Sequence, residues 1–184
     1  MRIASFTLER QPGYGVVSDA GIRPAPAPFR QGFPDLRSVL AAGALNELSV
    51  AAKASAPLDI DTLQFSMPIP DPARIICVGM NYLEHIHEMG RKRPEYPGVF
   101  IRFTDSMVGH RQPVYRPRIS TQYDYEGELA VVIGRRARYL KAAEALDYVA
   151  GYTCLLVGSV RDWQHTWFTA GNQDRIDVIP EKRS

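Results

Sequence analysis

Apolar and polar positions alternate from the first residues of the chain. Arg2 to Leu8 reads as a period-two strand, and QPGYG (11–15) supplies turn residues. Val16 and Val17 begin a return strand, so residues 1 to about 22 are expected to form a hairpin. PAPAPFRQGFPD (24–35) is too rich in proline for a regular element. LRSVLAAGALNELSVAAK (36–53), full of Leu, Ala and Glu, predicts a single helix. PLDIDTLQFSMPIPDPAR (57–74) is extended and carries Pro57, Pro68, Pro70 and Pro72. It reads as the boundary between a small N-terminal α+β domain with its linker, residues 1–68, and a larger β-rich domain, residues 69–184.

From Arg74 the pattern changes. RIICVG (74–79) predicts a short buried strand. NYLEHIHEMG (81–90) predicts a short helix with Asn81 as its cap and Gly90 at its end. VFIRF (99–103) is a second strand, and SMVGHRQPVYRPRISTQYDY (106–125) holds turns and irregular strand. The β-branched run Leu129 to Ile133 predicts a buried strand that stops at Gly134. LKAAEALDYVAGY (140–152) predicts a short helix, YTCLLVGSV (152–160) a strand, and RDWQHTWF (161–168) the start of another helix.

Glu126 and Glu128 flank Gly127 at the mouth of the 129–133 run. Residues i and i+2 of a strand share a face, so the two carboxylates should stand side by side. Adjacent carboxylates resist burial, and they persist when hydrated, paired with cations, or sharing a metal ion. An all-oxygen pair suits a hard cation, Mg²⁺, Mn²⁺ or Ca²⁺; an exposed edge pair is the other reading. His85 and Glu88 lie three apart. On a helix they share a face, either as a general base with its orienting carboxylate or as a solvated surface. His85 and His87 diverge, which argues against a shared metal.

Composition narrows the class. Of 184 residues, 45% are hydrophobic and 23% charged, ordinary for a globular protein. A net charge of +2 gives no reason to expect nucleic acid or a membrane surface as partner. The two cysteines, Cys77 and Cys154, sit in apolar contexts and are expected to be core thiols in a reducing, cytoplasmic compartment. No secretory signal and no 18-residue apolar span is expected. Phosphate-binding loops, HExxH and GxSxG are absent from the sequence.

Four segments in order, VGMNYLEHIHEMG, DYEGELAVVIG, ALDYVAGYTC and GSVRDWQ, together resemble the fumarylacetoacetate hydrolase family over roughly residues 74–172. The resemblance implies a mostly β, α+β fold: a mixed β-roll with peripheral helices, here behind the small N-terminal domain, and a homodimer. It implies a Mg²⁺- or Mn²⁺-dependent enzyme that hydrolyses acylpyruvate-like 2-oxo or diketo acids, or performs a related isomerisation or decarboxylation in aromatic degradation. Glu126 and Glu128 fall on two metal ligands, His85 and Glu88 on a water-activating dyad, and Arg161 and Gln164 on contacts to the oxygens of a small 2-oxo acid.

The chain departs from the family pattern at two places. Where family members read FND before GSVRDWQ, this chain reads LLV, which puts Val157 at the third ligand, an aspartate. Asn172 takes the place of a substrate-binding lysine. The resemblance fades after Asn172, and the chain ends at Ser184 where family members run on. A weakened metal site and a C-terminally truncated roll with open sheet edges are therefore expected. The alternative function is an inactive member that acts as a binding or dimerisation module.

Overall fold

The structure, a computed structural model, describes residues 1–164. The described residues are α+β and mostly strands, as the sequence predicts, and every described strand pair is antiparallel. The chain divides into two compact units, residues 1–113 and 114–184.

The first unit opens with β1 (Arg2–Leu8), β2 (Gln11–Ser18) and β3 (Gly21–Pro24). With β4 (Gln64–Phe65) they form a sheet in the order β3-β2-β1-β4. QPGYG is strand rather than turn. Glu9 and Arg10 take positive φ, 49° and 65°, and close a two-residue turn of the primed kind that suits hairpins. The glycines inside β2 serve packing instead: a Cβ on Gly13 would lie 2.8 Å from the Phe6 ring.

The proline-rich segment also departs from expectation. It contains α1 (Ala27–Gly32), with Pro26 at the N-cap and Pro28 in the first turn, where a missing N–H costs nothing. The helix expected over 36–53 is broken into α2 (Leu36–Ala41) and α3 (Leu45–Ala51). Gly43 adopts φ 69° between them, a left-handed residue that ends the first helix. Asp35 caps α2 by accepting the Ser38 amide at 2.7 Å.

Alternation along the strands gives this sheet two apolar faces. Tyr14 packs with Leu36, Val39 and Leu48 of the helices, while Phe6 packs with Ile22 and Leu63 on the other side. The Tyr14 hydroxyl donates to the Phe33 carbonyl at 2.5 Å. Burial pushes its pKa from 10.0 up to about 12, and the Asp35 carboxylate adds to the rise. Below pH 10 both folded and unfolded chains keep this proton. Above it only the unfolded chain ionises, so the stability Tyr14 contributes is lost as pH rises from 10 through 12. Tyr14→Phe should cost about 1 kcal/mol in urea unfolding at neutral pH and flatten the alkaline decline. An equal alkaline decline in both proteins would contradict this role.

Further along, the two expected strands form, β5 (Ile75–Gly79) and β6 (Gly98–Arg102), and they pair with each other; β5 was expected to be buried, but as half of a two-stranded ribbon it is alternately exposed. This ribbon leaves Ile76, Val78, Val99, Phe100 and Ile101 exposed. Between its strands lies α4 (Leu83–Glu88), whose N-cap is Tyr82 rather than Asn81 and makes no side-chain cap bond. Gly90, at φ 63°, follows the helix end.

The second unit is built on β7 (Tyr123–Ile133) and β8 (Val149–Val160), one long hairpin. β7 starts six residues before the predicted run and includes both glutamates. The helix expected over 140–152 is a 3₁₀ segment, Ala142–Tyr148, because Val149 and Gly151 are drawn into pairing with Ile133 and Val132. The run expected to be buried is alternately exposed: Leu129, Val131 and Ile133 face outward with Tyr152 and Leu156. Cys154 pairs opposite Leu129 on that face, so it is an exposed free thiol rather than a core one, and Cys77 is half-buried. Among the described residues no helix is long and apolar enough to cross a membrane.

Candidate functional site

Strand register decides what surrounds the paired glutamates. In an antiparallel pair, residues directly opposite share a face. Asp124 pairs with Ser159, Glu126 with Val157 and Glu128 with Leu155. Asp124, Glu126 and Glu128 therefore line one face of β7, and the side chains of Ser159, Val157 and Leu155 stand across from them on β8. Gly127, between the glutamates, belongs to the other face.

The cation that meets these acids is Arg161. β8 ends at Val160, and the backbone turns helical over residues 161–164. The Arg161 amide donates to the Gln122 carbonyl at 2.8 Å, which fixes the turn against the start of β7. From there the guanidinium donates from Nε to Asp124 at 3.0 Å and from Nη1 to Gln164 Oε1 at 2.9 Å. It also lies 3.2 Å from Glu126 Oε1. The Ser159 hydroxyl donates to the same Glu126 oxygen at 2.8 Å. The Arg161 and Glu126 side chains are 29% and 31% exposed, so this pair is screened less than a surface one. The hydrogen bond from Arg161, helped by the Tyr125 amide, holds the Asp124 carboxyl below the ordinary carboxylate range.

Behind Arg161, Asp162 Oδ1 accepts the hydroxyl of buried Ser120 at 2.8 Å and the Trp163 amide at 3.0 Å. Ser120 Oγ in turn accepts the Gln122 amide at 3.0 Å. The acid face and its arginine are thus set on a hydrogen-bonded turn rather than on a loose loop.

The structure brings four of the expected site residues, Glu126, Glu128, Arg161 and Gln164, onto this hairpin. His85 and Glu88 lie on α4 of the other unit. His85 Nδ1 is 3.6 Å from Glu88 Oε2, too long for a direct hydrogen bond, with side chains 52% and 77% exposed. His110 stacks edge-on to Phe65 at 5.4 Å, a packing role. His165 and Asn172 lie outside the described residues. Sequence reasoning missed Asp124 and Ser159. Asp124 continues the period-two spacing of Glu126 and Glu128 and was open to detection; Ser159 becomes visible only through the register.

A divalent cation fits this set poorly. Hard cations take about six oxygen ligands at short range. Here the position opposite Glu126 is Val157, 4% exposed, whose methyl groups offer no lone pair. One Glu126 oxygen already serves Ser159 and Arg161. No group of three His, Cys, Asp or Glu side chains placed to hold a metal ion occurs among the described residues.

Known proteins resemble this chain in both sequence and structure. The profile described as fumarylacetoacetate (FAA) hydrolase C-terminal matches residues 74–181. An uncharacterised protein of Methanocaldococcus jannaschii is 45% identical over 93 residues, 50% of this chain and 39% of that protein. The mitochondrial oxaloacetate tautomerase FAHD2A of Homo sapiens is 40% identical over 121 residues, 64% of this chain and 38% of that protein. Among solved structures, a fumarylacetoacetate hydrolase from Exiguobacterium antarcticum superposes with a TM-score of 0.74 at 27% identity, covering 91% of this chain and 59% of that one. Maleylpyruvate hydrolase from Sphingobium, solved with manganese(II) and pyruvate, gives 0.68 at 25% identity, covering 88% and 60%. The chain thus spans well under half of those two curated relatives and about three fifths of those solved chains. With the profile match running over more than half its length, the chain belongs to the fumarylacetoacetate hydrolase family.

Proposed function

We propose that this protein acts on small 2-oxo or diketo acids, cleaving a C–C bond of an acylpyruvate-like substrate by hydrolysis or carrying out the related isomerisation. The observation that supports the reading best is the placement of Arg161 and Gln164 together beside the acid face of β7, on residues of the family profile. A guanidinium with an amide beside it suits the carboxylate and keto oxygens of such an acid. In this reading His85, oriented by Glu88, takes a proton from water as the water attacks the far carbonyl. Residues 69–184 are the catalytic part, working as a cytoplasmic homodimer, and residues 1–68 an accessory domain with its linker.

Mg²⁺ or Mn²⁺ is the cofactor this reading expects, and in the family's chemistry such an ion supplies charge stabilisation for a developing enolate. Val157 stands where such an ion would want a third carboxylate. Val157 also favours a second reading, an inactive member that binds the acid without turning it over.

Both readings are tested by following consumption of acetopyruvate and oxaloacetate with Mn²⁺ present, alongside calorimetric binding of pyruvate. Turnover of either acid is the expected result. Pyruvate binding without turnover selects the second reading, and neither binding nor turnover overturns both.

A further inference from the structure

We propose that Arg161 is the resident cation of the acid face in this chain, occupying with its guanidinium the electrostatic role that a divalent ion has in a complete site. The inference uses only the hairpin geometry and stands apart from the choice of substrate. Asp124, Glu126 and Glu128 put three carboxylates at alternate positions of one strand face, a repulsive arrangement unless a cation lies among them. Arg161 reaches two of them, Asp124 at 3.0 Å and Glu126 at 3.2 Å. Its planar fork can serve two carboxylates at once, which a single ammonium on a flexible stem does less well. Ser159 holds the same Glu126 oxygen, so that oxygen points at the arginine rather than away from it. Across the hairpin, Val157 removes the ligand that would favour a metal over the guanidinium. Glu128 is the acid for which Arg161 makes no contact among the described residues.

A metal ion and the guanidinium then compete for the same acids, and removing one should admit the other. The test is a calorimetric Mn²⁺ titration, without substrate, of the full chain, Arg161→Gln and Arg161→Lys. The unaltered chain should bind Mn²⁺ weakly. Arg161→Gln should bind it about tenfold more tightly, the order expected for removing a positive charge a few ångströms from the ion, and should gain thermal stability on Mn²⁺ addition. Arg161→Lys keeps the charge and loses the fork. It should bind more tightly than the unaltered chain and less tightly than Arg161→Gln, and it serves alone if Arg161→Gln does not fold. Micromolar Mn²⁺ binding by the unaltered chain would overturn the proposal, as would an affinity unchanged by either substitution. Pyruvate binding measured on the same samples reports separately on the proposed function.

Discussion

Val157→Asp should destabilise the protein without metal and make its stability depend on Mn²⁺. Val157 is nearly fully buried and pairs directly with Glu126. An aspartate there places a carboxylate in an apolar position beside another carboxylate. The cost of an uncompensated buried charge is about 3–5 kcal/mol; Arg161, already shared by Asp124 and Glu126, offsets little of it. The same substitution completes a set of three oxygen donors with Glu126 and Glu128. A cation that binds only the folded state returns about 2.7 kcal/mol at a hundredfold excess over its dissociation constant. Urea unfolding with and without Mn²⁺ measures both effects. A metal-free variant as stable as the unaltered chain would mean that position 157 is not enclosed as described.

His85→Ala should lower kcat on a 2-oxo acid by about 10²–10⁴-fold, the usual contribution of a positioned general base. KM should change little, because in the proposed function Arg161 and Gln164, not His85, hold the substrate oxygens. Glu88→Gln should have a smaller effect, since at 3.6 Å Glu88 orients the imidazole loosely. Steady-state kinetics with Mn²⁺ separates the two parameters. A change confined to KM would move His85 from proton transfer to substrate binding.

Much of the fold was legible where one local rule governs a segment. Arg2–Leu8, Ile75–Gly79 and Gly98–Arg102 follow alternation or short apolar runs closely. The failures arise where backbone geometry is not written in composition. Turn residues QPGYG pointed to a turn, yet Glu9 and Arg10 make it, and glycines 13 and 15 remain in the strand for packing. Prolines 26 and 28 argue locally against a helix, yet at a helix start they are well tolerated. The apolar character of the 129–133 run points to burial, but the hairpin exposes alternate members of it.

The acid pair was legible for a simple reason: i and i+2 on a strand share a face whatever the partner strand does. Its surroundings were not. The contact between Arg161 and Asp124 joins residues 37 apart in sequence, and no local pattern announces it. The position of Val157 across from Glu126 needs the β7–β8 register, to which the motif spacing pointed but which only pairing displays.

On the β7–β8 hairpin Arg161 neutralises the carboxylates of β7, and Val157 on β8 offers no further oxygen ligand opposite Glu126, so a divalent ion should gain little hold there. The most direct test is Mn²⁺-induced paramagnetic broadening of backbone amide resonances, recorded on the unaltered chain and on Val157→Asp at the same substoichiometric Mn²⁺. Selective broadening is expected at residues 126–128 and 156–158 in Val157→Asp, and little in the unaltered chain. Equal local broadening in the unaltered chain, or broadening of the variant elsewhere, would contradict it.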